Sequence, residues 1–296
     1  MENYHIPVLF AESIDSLEIE EDGIYVDLTF GGGGHSRGIL SQLGDEGILF
    51  SFDQDADVFP NIPDDERLVF VRSNFKYMRG ALRTYRVEQV NGIFADLGVS
   101  SHHFDASERG FSFRFDAPLD MRMNQESSFS ALNVVNEYEH ADLLRVLRDY
   151  GEMNMPHKVA SAIERARPIA TTNELCDAVR SLTLPHEESK YFAKMFQAIR
   201  IEVNGELEAL KMMLEQGSKM LGKGGIFSII TYHSLEDRLV KNFFKAGNFE
   251  GVTETDFYGR AQVPFKAEGK VIVPSEEEIE RNPRSRSAKL RVAKKL

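Results

Sequence analysis

The sequence predicts an α/β fold: a mostly parallel sheet covered by helices, interrupted by an inserted all-helical domain. Three observations carry this. Short apolar stretches alternate with mixed, helix-like segments as far as residue 96. A glycine cluster follows the first of those stretches. The alternation stops near residue 111 and resumes near 205. A β-α-β-α order feeds a parallel sheet, and such a sheet binds its ligand at the carboxyl ends of its strands.

The first strand, 23–27, ends at Asp27 and runs into Leu28-Thr29-Phe30-Gly31-Gly32-Gly33-Gly34-His35-Ser36. Apolar strands follow at 48–53, ending in Asp53, and at 68–72. A fourth, 90–96, ends at Asp96 and opens into Leu97-Gly98-Val99-Ser100-Ser101. Helical patterns then occupy 130–135, 141–148, 157–166, 173–182 and 188 onward. Roughly ninety helical residues are too many for a crossover between strands, so they read as a domain of their own. The boundaries follow: 1–110 and 205–296 form a discontinuous sheet domain, and 111–204 the insertion. A helix at 204–221, Gly224-Gly225, a strand at 226–230 and a helix at 235–246 resume the pattern. Residues 288–292 alternate like a strand with one charged face.

Composition bounds the function. A chain of 296 residues, 42% hydrophobic and 28% charged, is that of a globular protein with a real core. The single cysteine, Cys176, excludes an internal disulfide and suits a reducing, cytoplasmic setting. Acids at Glu2, Glu12, Asp15, Glu18 and Glu20 argue against a signal peptide. No apolar run reaches membrane-spanning length, so no membrane partner is expected. The net charge of −12 argues against a broadly basic surface. Residues 281–296, however, carry seven Lys/Arg and no acid, which leaves 28 basic against 47 acidic residues elsewhere. That tail is either a solvated terminus or a local patch for RNA phosphates.

The glycine loop narrows the ligand. A dinucleotide loop needs G-x-G-x-x-G, but Ser36 or Arg37 stands at the third glycine in either frame. A P-loop needs lysine where Ile39 stands. What fits is acid-x-x-x-G-x-G, from Asp27, Gly31 and Gly33, the first motif of class I S-adenosylmethionine (SAM) methyltransferases of Rossmann-like fold. That cofactor has no pyrophosphate, so it does not need the third glycine. Asp53, 22 residues after Gly31, is placed to accept hydrogen bonds from ribose hydroxyls, or else caps a helix starting near Asp55.

Further stretches carry more polar and special residues than ordinary loops: 96–101, 108–113, 118–123 and 233–238. Ser234 reads as a helix N-cap with Asp237 at the capping-box position, which leaves His233 without a structural role. His102, His103 and Asp105 have no further ligands at metal spacing, so no metal is expected.

Together with Phe196-Gln197-Ala198-Ile199-Arg200 and Asn282-Pro283-Arg284-Ser285-Arg286-Ser287, these motifs resemble the bacterial RsmH (MraW) methyltransferases, in order, from His5 to the C-terminus. The resemblance implies a class I SAM-methyltransferase core with an inserted helical domain. It also implies transfer of methyl from SAM to N4 of a cytidine in 16S rRNA, at the decoding centre of the small ribosomal subunit, and a homodimer. By position, the family's cofactor contacts fall on Gly31, Gly33, Gly34, His35, Asp53, Phe75 and Asp96. Another falls on His103, where relatives usually have glutamine, with His102 replacing a proline. Gly32 stands where relatives often carry arginine.

Methyl transfer to an exocyclic amine needs acceptors for its protons and an in-line approach to the sulfonium. Asp96, Ser100, His233, Ser234 and Asp237 are the candidate catalytic residues, with Asp96 also placed to bind the methionine amino group. The base must be unstacked, and Arg109, Arg114, Arg122, Arg284 and Arg286 are candidates for holding phosphates. Ion pairs with Asp116 or Asp120 are the structural alternative for the first three. Rival functions are a SAM-dependent enzyme for another nucleic acid or a protein, and a SAM-binding ribosome-assembly factor. Asp-Leu-Gly-Val-Ser-Ser lacks the aromatic that DNA amino-methyltransferases use at this position.

Overall fold

The computed structural model describes residues 7–99 and 107–296. The chain forms two compact units: residues up to Gly98 with Leu207–Leu296, and Val99–Glu206. Residues 107–110, which the sequence reading assigns to the sheet domain, thus fall in the helical unit.

The first unit is built on a seven-stranded sheet: β1 (Ile24–Asp27), β2 (Ile48–Asp53), β3 (Leu68–Arg72), β4 (Val90–Asp96), β5 (Leu221–Thr231), β6 (Phe265–Ala267) and β7 (Lys289–Lys295). Their order across the sheet is β3-β2-β1-β4-β5-β7-β6. The first five run parallel; β7 pairs antiparallel with both β5 and β6. The strands are apolar on both sides because both faces are covered. Side chains alternate between two cores accordingly. Val26, Phe50, Ile93 and Phe227 enter one core, with Leu82 of α3 (Met78–Thr84), Leu214 of α9 (Glu206–Met220) and Phe243 of α10 (Ser234–Ala246). Tyr25, Leu49, Phe94 and Ile226 enter the other, with Ile14 of α1 (Phe10–Ser16) and Ile39 of α2 (Gly34–Leu40).

The tail alternates as its sequence predicts. Leu290 is buried in the second core, while Lys289 and Arg291 point to Asp237. The short strand β6 has no counterpart in the sequence reading: three residues carry too little periodicity to register.

The second unit contains α4 (Ala131–Glu137), α5 (His140–Asp149), α6 (Pro156–Ala166), α7 (Thr172–Arg180) and α8 (Glu188–Asn204) around one apolar core. Thr171 caps α7, accepting the Glu174 N–H while the Glu174 carboxylate accepts its own. Cys176 lies in that core, where burial pushes its thiol up to about 12. No described helix is long and apolar enough to cross a membrane.

Candidate active site

Three acids end three neighbouring parallel strands: Asp53 on β2, Asp27 on β1 and Asp96 on β4. Asp27 is fully buried. One of its oxygens accepts the Thr29 N–H at 3.0 Å, the other the Ser36 hydroxyl at 2.6 Å. The Ser36 oxygen also lies 2.8 Å from that of Ser51 on β2. Ser36 is the residue that breaks the dinucleotide pattern, and its hydroxyl is what anchors α2 to the tip of β1. Burial pushes Asp27 up to about 6; the bonds from Ser36 and Thr29 oppose the shift.

The loop between β1 and α2 closes on Asp53. The Gly31 N–H donates to its carboxylate at 2.9 Å, and the Asp55 N–H to its other oxygen at 2.9 Å. The helical turn Ala56–Asn61 is capped by Asp55, not by Asp53. Gly33 adopts φ 73°, and a Cβ there would collide with the Phe30 ring at 2.7 Å. A Cβ at Gly34 would collide with the ring of Pro7. At Gly32 a Cβ would meet no atom of the described residues within 4 Å. The loop therefore packs tightly on its inner side and is open at its crest, the arrangement a close-lying ligand needs. Beyond it, α2 starts at Gly34, where the first N–H groups of a helix have no carbonyl partner within the helix.

His35 is less open than the sequence suggests. Its ring is buried, 3.1 Å from the Val8 carbonyl and 4.4 Å from the centre of the Phe94 ring. Burial lowers its pKa to about 4, so it stays neutral. The His35 backbone N–H lies in the first turn of α2, where N–H groups lack intrahelical partners. Phe75 lies half-buried against the first core, and Asn74 beside it bonds Gln54 at 3.0 Å, tying the loop after β3 to the loop after β2.

Asp96 is held from three sides. Its N–H donates to the Thr29 hydroxyl at 2.7 Å, its Oδ1 accepts the Tyr232 hydroxyl at 2.8 Å, and Leu97 continues with a bond to the Ile230 carbonyl. Burial pushes Asp96 up to about 7; Tyr232 opposes the shift, while Asp27 and Glu236 add to it. Tyr232 and Thr29 are missed by the sequence reading. The signal for Tyr232 is register: Asp96 lies opposite Ile230 on β5, so the residue two further on overhangs the same edge.

His233 is the N-cap of α10, with Glu236 at the reciprocal position, which corrects the assignment of those roles to Ser234 and Asp237. The reason is the buried Glu236 carboxylate, which accepts the N–H of Tyr232 at 2.9 Å and draws the helix start one residue earlier. Ser234 is exposed at the first turn. Asp237 accepts Arg291 at 2.7 Å and Lys289 at 3.2 Å. Burial raises it, but Arg291 and Lys289 outweigh that and hold it below the usual range. It clamps β7 to α10. Ser100 and His103, with His102 and Asp105, lie outside the described residues.

In the helical unit, Arg122 grips Asp120 through two bonds of 2.8 and 2.6 Å and also donates to the Gln125 and Ser127 carbonyls. Buried Arg109 donates to the Arg122 carbonyl at 2.8 Å. Both serve the fold. Arg114, Arg284 and Arg286 are exposed.

Residues 2–296 match the MraW methylase family. The chain is 56% identical over 296 residues to the ribosomal RNA small subunit methyltransferase H of Bacteroides thetaiotaomicron, covering 99% of this chain and 97% of that one. The proteins of the same name from Parabacteroides distasonis and Flavobacterium johnsoniae are each 54% identical, over 99% of this chain and 98% of theirs.

Proposed function

The chain belongs to the MraW methylase family, and from that premise we infer that it is a SAM-dependent methyltransferase of small-subunit ribosomal RNA whose target is the exocyclic N4 of a decoding-centre cytidine. It works in the cytoplasm as a homodimer. The observation that carries the chemistry is the row Asp53, Asp27, Asp96 at one sheet edge around a glycine loop open at its crest.

SAM supplies a methyl group on a sulfonium, which carries positive charge beside that of its ammonium. The residues at the edge fit such a ligand. The backbone of Gly31–Gly34 admits it closely, Asp53 accepts from ribose hydroxyls, and Phe75 offers an apolar wall. Asp96 accepts from the ammonium. His233 and Ser234, at the tip of β5, hold the base so that N4 approaches in line; Asp237, already paired, positions β7. The helical unit, Val99–Glu206, recognises the RNA. Ser100 helps to hold the base, and His103 takes the cofactor contact that the resemblance implies.

The test offers labelled SAM and unmethylated small subunits, large subunits or bare RNA to the purified protein, followed by nucleoside mass spectrometry. N4-methylcytidine from small subunits alone is expected. A methyl group on another atom, or transfer to large subunits, overturns the reading; sedimentation of the same preparation reads the dimer.

A further inference from the structure

The most exposed aromatic side chains of the described residues sit on one turn. Phe257 is 98% exposed and Tyr258 80%. This is not a loose loop. The Asp256 carboxylate accepts the N–H groups of Tyr258 and Arg260 at 2.8 and 2.9 Å. The backbone closes between Asp256 and Arg260 and between Gln262 and Glu254, and Thr255 bridges Ala261. Asn248 secures its base, accepting from Gly251 and donating to the Val252 carbonyl. The Arg260 guanidinium lies 5.7 Å from the centre of the Tyr258 ring. A preorganised turn thus holds two largely bare rings and a planar cation in water.

We propose that the 255–261 turn is a finger on which unpaired rRNA nucleotides stack. The inference rests on the RNA substrate proposed above. Rings with an adjacent guanidinium are the chemistry that takes splayed bases and their phosphates. The Asp256 carboxylate is turned onto the backbone N–H groups of the turn, and the Arg260 guanidinium supplies the positive charge beside the rings. A second copy of the chain fits poorly: two rings offer at most about 500 Å², while a stable interface needs about 800 Å² per partner.

Its place decides what it does. Phe265 of β6 pairs with Lys295, whereas the catalytic edge lies at the other end of β7, where Lys289 pairs with Thr231. Seven strand residues separate the two ends by roughly 20 Å. The finger is therefore rooted near the end of the sheet opposite the catalytic edge. It anchors a distant part of the substrate, and its loss acts on substrate affinity and not on the chemical step.

The experiment compares wild-type protein with F257A/Y258A on small subunits. The expected result is a KM raised about tenfold or more, with unchanged kcat, SAM affinity and melting temperature. Subunit binding, measured separately by filter retention, weakens by the same factor. F257W/Y258W restores both, because stacking needs only a π-face, and F257L/Y258L does not. The proposal is overturned by unchanged subunit binding in the alanine pair, by equal rescue from leucine, or by a shift from dimer to monomer in sedimentation. If the wild type binds subunits but transfers no methyl group, the enzymatic reading fails while the binding comparison still decides the finger.

Discussion

Asp27 and Asp96 at the sheet edge are handled in the opposite way to the paired carboxylates of the helical unit. In the helical unit, Asp120 is bonded twice by Arg122 and held below its ordinary range despite burial. Glu202 accepts Arg145 and Tyr138 at 2.7 and 2.6 Å, and Arg200 grips Glu206 with two bonds of 2.8 Å. At the sheet edge, Asp27 receives a hydroxyl and a backbone N–H and Asp96 a hydroxyl instead, and both are pushed up, to about 6 and about 7. The leading influences on both are burial, hydrogen bonds and neighbouring carboxylates. Moving Asp96 from 3.8 to about 7 corresponds to roughly 4 kcal/mol disfavouring its charged form. The helical unit cancels its charges internally and gains rigidity. The sheet edge leaves negative charge uncancelled, which a cationic cofactor would neutralise. One arrangement builds structure and the other reserves binding energy.

The sharpest way to break this contrast is D96N, which keeps the shape and the Tyr232 contact but removes the charge. Loss of a charge-assisted bond to the cofactor ammonium is expected to weaken SAM binding about 100-fold, read by calorimetry, and turnover should fall at least as far. Unchanged affinity would remove Asp96 from cofactor binding. A smaller effect comes from pH. A raised pKa means that Asp96 is mostly protonated at pH 6 and mostly ionised at pH 8. SAM affinity in wild-type protein should therefore rise about tenfold across that interval. Y232F removes a bond that lowers the Asp96 pKa, so its profile should shift to higher pH. An identical profile would mean that the hydroxyl does not tune Asp96.

On the other side of the contrast, R122K should cost about 1–2 kcal/mol of stability, seen as faster hydrogen exchange across the helical unit, with SAM affinity untouched. A weakened SAM affinity would show that the segment is not purely structural. The smallest effect is expected from D237N, which loosens β7. Because Asp237 is held below its usual pKa, its contribution is full above the ordinary carboxylate range and disappears as pH falls through the lowered value. The variant should therefore melt a few degrees lower at pH 7, with a deficit that shrinks as pH falls below the ordinary carboxylate range; a deficit that does not shrink in acid would assign the loss to packing.

Much of the fold is legible in the chain because its signals are local. Each parallel strand holds a short apolar run, three of the five end in an acid, and the helices of the insertion repeat apolar residues at helical spacing. The departures are also instructive. Ser36 looks like a failed third glycine until Asp27 and Ser51 are found beside it. His35 looks like a polar loop residue, yet its ring is packed against Phe94. Ser234 and Asp237 satisfy the capping pattern, but buried Glu236 moves the cap to His233. In each case the local pattern admits two readings, and a partner distant in sequence selects one.

The sequence by itself determined the strand order along the chain, the glycine loop, the acids that end the strands and the helical interruption, since these depend on neighbours within a few residues. Only the tertiary structure decided that the basic tail lies between β5 and β6, that its charges meet Asp237, and that Tyr232 meets Asp96. Those contacts join residues 54 and 136 positions apart. No periodicity encodes such pairings, because they are chosen by which surfaces bury best once the whole sheet has formed.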